Sequence, residues 1–139
     1  MNIEKSETMQ CLINAFAGES QARNRYTFYS KIAKEEGYEQ IGEIFINTAS
    51  NEMEHAKLFY KRIPFNVAHQ VNGKYPFFMG NTYENLLSAS QGEKEEWEII
   101  YKNCAQIAKQ EGFDEISRLL HGAGIANVYF LSLAIGQGV

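Results

Sequence analysis

Three features of the 139-residue sequence predict an all-α fold: a four-helix bundle made of two repeated helical hairpins joined by a long crossover. Apolar residues recur at steps of three and four through four segments, and no segment alternates as a half-buried strand does. The stretch Ile32-Ala-Lys-Glu-Glu-Gly-Tyr-Glu-Gln-Ile41 returns as Ile107-Ala-Lys-Gln-Glu-Gly-Phe-Asp-Glu-Ile116, an offset of 75. Between the copies, residues 63–81 hold both prolines, Gly73 and several aromatics without periodicity, the composition of a crossover between bundle halves.

The first helix is expected over about residues 8–36, with Met9, Leu12, Phe16, Tyr26, Tyr29 and Ile32 at helical spacing and Gly37 as its stop. The second, residues 38–62, ends before Pro64. Asn81-Thr82 offers a cap for the third, residues 82–111, with Leu86, Ala89, Glu93, Glu96, Ile100 and Ile107 inward and Gly112 as its stop. The fourth covers residues 113–134, with Ile116, Leu120, Ala123, Asn127, Phe130 and Ala134 on its inward stripe. All four lie in a single domain, residues 1–139.

Chemistry enters where core residues belong. The stripe Ile41, Phe45, Thr48, Glu52, His55, Phe59 places a carboxylate and an imidazole inside the second helix. The first helix adds Glu19, in a Gly18-Glu19 pair that matches Gly92-Glu93 at an offset of 74, one residue out of step with the main repeat. The third adds Glu93 and Glu96. A lone Glu is most often a solvated surface residue and a lone His on an apolar face a satisfied core residue, but four carboxylates and one imidazole on three inward faces repel one another unless a cation sits between them. Carboxylates with an imidazole suit iron or manganese better than a soft-metal site, and zinc is compatible with the same donors.

Composition narrows the alternatives. A net charge of −4 with no Lys/Arg stripe argues against a nucleic-acid partner. The amino terminus has no apolar stretch of the secretory type, so a cytoplasmic location is expected. Cys11 and Cys104 form no C-x-x-C pair and are expected as core or near-surface thiols rather than redox groups. After Arg118 there is no charged side chain. The glycines there, with His121, Asn127 and Gln137, argue against a membrane span and for burial against another subunit, as in a homodimer or a helix exchange.

Gly18-Glu-Ser-Gln-Ala-Arg-Asn-Arg-Tyr26, Glu35-Glu-Gly-Tyr-Glu-Gln-Ile41, Asn51-Glu-Met-Glu-His-Ala-Lys57 and Gly92-Glu-Lys-Glu-Glu-Trp97 resemble the diiron domain of the rubrerythrin family over about residues 7–118. The resemblance implies a ferritin-like bundle holding two irons. It implies Glu19 and Glu93 as terminal ligands, Glu52 as a bridge, His55 on the first iron and Glu96 as a carboxylate that exchanges with it on oxidation. Tyr26 and Tyr101 match family tyrosines beside the cluster, so Glu96, Tyr26 and Tyr101 are the expected catalytic set. The implied activity is reduction of hydrogen peroxide to water with electrons from an external donor such as rubredoxin, in a chain that lacks the family's rubredoxin module.

The pattern breaks on the fourth helix. The offset of 75 carries Glu52 to Asn127 and His55 to Phe130, a weak neutral ligand and none. The alternative is therefore a ligand-depleted bundle that binds one metal or none and serves storage, scavenging or structure. His121 could replace a lost ligand only if the fourth helix rotated or swapped, and His69 is expected at the surface of the crossover.

Overall fold

The computed structural model describes the backbone of residues 1–135 and their side chains except at 124, 126–131 and 133–135. The expectations for the side chains of Asn127, Phe130 and Ala134 lie outside the described residues. After a short 3₁₀ turn come α1 (Glu7–Glu35), α2 (Glu39–Tyr60), α3 (Thr82–Glu95), a π turn (Glu96–Tyr101), α4 (Lys102–Gln110) and α5 (Asp114–Ile135). There is no strand among the described residues. The α1–α2 hairpin and the hairpin of α3, α4 and α5 pack together as the two repeats predict.

Local signals set the ends. Ser6 caps α1 by accepting from Met9 N, and Asn81 and Glu84 form a capping box on α3. Gly37 and Gly112 close the first and third helices at φ +90°, a backbone conformation that L side chains rarely adopt. The hairpins also cap each other. Glu111, after α4, accepts from Thr8 N at 2.8 Å and from the Thr8 hydroxyl; Glu36, after α1, accepts from Thr82 N at 2.8 Å and from the Thr82 hydroxyl. These two reciprocal clamps hold the carboxylates of Glu36 and Glu111 below the usual carboxylate range, chiefly through the threonine hydroxyl donors.

The core is in two parts. Tyr26, Tyr29, Phe45, Ile41, Ala33, Leu86 and Ala89 fill one end, with Tyr29 and Phe45 edge to face at 5.5 Å. Leu12, Phe59, Tyr101, Ala105, Ala108, Leu120 and Ala123 fill the other. On the chain's own stripes, the buried acids Glu19, Glu52 and Glu93 fall between these two sets. The crossover lies over α1, where Tyr75 Oη donates to Asn14 O at 2.7 Å and Tyr29 Oη to Phe78 O at 2.5 Å.

Two expectations are corrected here. The third helix is not continuous: the π turn admits one extra residue and rotates everything beyond it by about one position. Ile100, expected inward, is 47% exposed, whereas Tyr101 beside it is 2% exposed, and the stripe continues through Cys104, Ala105 and Ala108. The slip from an offset of 74 at Glu19/Glu93 to 75 at Ile32/Ile107 is this inserted residue. Secondly, Cys11 and Cys104 are not separate thiols. The extra residue turns Cys104 toward α1, and the two sulfurs form a disulfide with Cα atoms 5.8 Å apart.

Candidate metal centre

Each helix brings its polar residues to the layer between the two apolar sets through its own inward stripe. From α1 come Glu19 and, two turns on, Tyr26; from α2, Glu52 and His55, one turn apart; from α3, Glu93; from the π turn, Glu96 and Tyr101. Glu19, Glu52 and His55 each present one ligand atom, and these atoms lie within 4.8 Å of one another. His55 Nδ1 stands 3.9 Å from Glu19 Oε2. Glu93 and Glu96 are not in that three-residue group, but their negative charge acts on Glu19.

The hydrogen bonds follow the repeat and cross it. Tyr26 Oη donates to Glu93 Oε1 at 2.6 Å, and Tyr101 Oη donates to Glu19 Oε1 at 2.6 Å. At an offset of 75, Tyr26 corresponds to Tyr101, and at 74 Glu19 corresponds to Glu93, so each tyrosine of one hairpin orients the acid of the other. Arg25, which nothing in the sequence marks as a site residue, lies with its guanidinium carbon 5.2 Å from the Tyr26 ring centroid, and its charge offsets a part of the rise that burial imposes on the Glu93 carboxyl.

Four buried side-chain atoms among the described residues have no hydrogen-bond partner: Glu19 Oε2, Glu52 Oε1, His55 Nδ1 and Arg25 Nη1. The first three belong to the residues of the three-residue group, and buried polar atoms left unpaired cost about 1–3 kcal/mol each. Burial raises the Glu19 carboxyl well above the usual range, with the charges of Glu96 and Glu93 adding to it. Burial likewise lifts Glu93 to about 7, and burial with the Glu93 charge lifts Glu96 to about 8. Desolvation lowers His55, which favours the neutral imidazole that binds metals. Unpaired donor atoms converging within one ligand shell, surrounded by acids that resist ionising, fit a divalent cation: it supplies the missing partner and reverses the penalty on charge.

Glu96 has a second environment. With Tyr101, Cys11, Cys104 and Gly18 it lines a cavity of about 450 Å³, roofed by Gly73–Pro76 of the crossover. Among the five expected ligands it is the one that reaches this cavity. His121 is exposed, its ring centroid 6.3 Å from that of Trp97, so it does not replace a ligand. His69, expected at the surface, is partly buried, with Nε2 3.0 Å from Pro64 O. No helix among the described residues is long and apolar enough to cross a membrane.

The chain is similar to known proteins in sequence and in fold. The family model described as Rubrerythrin matches residues 10–126. Rubrerythrin-1 of Clostridium acetobutylicum is 48% identical over 120 residues, covering 84% of this chain and 62% of that protein. Rubrerythrin of Porphyromonas gingivalis is 46% identical over 117 residues, covering 84% and 58%. The chain thus spans about three-fifths of the length of these relatives. A structure of fully reduced, all-ferrous nigerythrin superposes with a TM-score of 0.81 at 27% identity, over 95% of this chain and 68% of that one. Fold, buried acids and sequence agree: this chain belongs to the rubrerythrin family and has its ferritin-like four-helix bundle.

Proposed function

We propose that residues 1–139 form one non-haem iron domain that reduces hydrogen peroxide to water with electrons from an external donor such as rubredoxin. The observation that carries this reading is that Glu19, Glu52 and His55, each of which keeps a buried atom without a hydrogen-bond partner, bring ligand atoms within 4.8 Å of one another. In this reading Glu19, Glu52 and His55 would hold one iron, and Glu93 and Glu96 would help to hold a second. Bound iron supplies one electron per metal to the oxidant.

The protein's part is binding and orientation. Tyr101 and Tyr26 fix the rotamers of Glu19 and Glu93 through hydroxyl donors that leave the opposite carboxylate oxygens free. Glu96 stands where a small polar oxidant entering the cavity meets the layer, and in the metal-free chain burial and the Glu93 charge raise its proton affinity. The apolar sets on either side exclude water from the rest of the site. The domain is proposed to act in the cytoplasm as a homodimer, with neither nucleic acid nor membrane as a partner.

The substitution pattern of α5 supports a second reading. Asn127 and Phe130 stand where the repeat offset calls for Glu and His, which favours a bundle that fills only the Glu19/Glu52/His55 side and stores or scavenges one metal. Manganese or zinc would serve that role as well as iron. Metal analysis of protein purified without oxygen, followed by peroxide titration, separates the two. Two irons per chain, oxidised by one equivalent of peroxide, support the first reading. One metal without peroxide consumption supports the second.

A further inference from the structure

We propose that Cys11 and Cys104 are a reversible two-electron couple that feeds the carboxylate site through the cavity they share with it. This rests on the peroxide-reducing reading above. The disulfide joins α1 to α4 across 93 residues and lines the cavity together with Glu96 and Tyr101. Cys11 is eight residues before Glu19 on α1, a rise of about 12 Å along that helix. Cys104 is eight residues after Glu96, on α4 beyond the π turn, and lines the same cavity as Glu96. The π turn that aims Tyr101 at Glu19 is the feature that also brings Cys104 opposite Cys11.

The bond is not the only link between these helices, since Tyr101 to Glu19 and Thr8 to Glu111 already join them. Both cysteines are inside helical turns whose backbone ladders do not depend on the sulfurs. Opening the bond therefore leaves the architecture in place. Cys11 and Cys104 are 8% and 9% exposed, and the cavity wall they form is where a small dithiol makes contact.

The balance closes. Two cysteine S–H bonds break and one S–S bond forms, releasing two protons and two electrons. Hydrogen peroxide takes up two protons and two electrons, its O–O bond breaks, and two waters form. A small-molecule or protein dithiol then restores the pair by exchange through a mixed disulfide, leaving as its own disulfide.

The test uses the full chain loaded with iron without oxygen, reduced with dithiothreitol and freed of it, then titrated with peroxide. Free thiols are counted by alkylation and intact mass. Wild type should lose both thiols and consume one equivalent of peroxide more per chain than Cys11→Ser. The same reduced protein loaded with zinc, which needs no variant to fold, should lose its thiols at least tenfold more slowly. Thiols that persist in the iron protein, or that vanish equally fast in the zinc protein, overturn the proposal even while iron is oxidised normally. If the iron protein consumes no peroxide at all, the underlying reading fails with it, and the absence of any iron oxidation identifies that case.

Discussion

Removing metal should make this bundle lose stability as the pH rises from about 5 to 7. Glu93 and Glu96 hold their protons in the folded chain up to about 7 and about 8, whereas in the unfolded chain they titrate near 4.5. Between those values the folded state binds more protons than the unfolded state, so unfolding free energy falls with increasing pH. Each group contributes up to about 1.4 kcal/mol per pH unit, and Glu96, which faces the cavity, is discounted for solvent screening. Over two units the loss comes to about 3–5 kcal/mol, a large share of a small domain's stability. Stability is fully present below the unfolded value and is lost as the pH passes through the folded values. Bound metal reverses the slope, because it requires the ionised carboxylates. Urea titrations followed by circular dichroism, with a chelator and then with metal, measure both limbs. A metal-free midpoint that is flat or rises from pH 5 to pH 7 would mean that these carboxyls are not held protonated in the folded chain.

Three further outcomes are expected. Tyr101→Phe and Tyr26→Phe each remove a donor to a buried acid, so each should weaken metal binding by about 10–100-fold in competition with a chelator, and by similar factors, because the two bonds are related by the repeat. Gly112→Ala places a Cβ on a residue at φ +90° and should cost about 1 kcal/mol in denaturant unfolding; Gly122→Ala, inside α5 with open space around its Cβ, should gain up to about 1 kcal/mol. Asn127→Glu combined with Phe130→His should raise the number of metals bound per chain, read by elemental analysis; an unchanged number would place the defect elsewhere than in the missing ligands.

The bundle was legible because its period, its glycine stops and its repeat all pointed the same way. Five acids and bases on inward stripes were legible because charge at core positions breaks the pattern of a helix. What escaped was phase. An α-helical count through residues 96–101 places Ile100 inward, but the backbone there takes a π turn. A single inserted residue leaves local propensity unchanged, and its trace was the slip between the two offsets of the repeat. The Cys11–Cys104 bond escaped for the same reason: on an uninterrupted helix Cys104 has no reason to face Cys11, and residues 93 apart carry no local signal of contact. The reciprocal Thr8–Glu111 and Thr82–Glu36 clamps are equally long-range, yet their symmetry follows from the repeat once the hairpins are docked.

The most direct measurement is anomalous diffraction at the iron edge on crystals of the iron-loaded chain, with a metal count on the same preparation. A peak is expected within coordination distance of Glu19, Glu52 and His55 together. Metal bound anywhere else, leaving those three residues without it, would rule this site out.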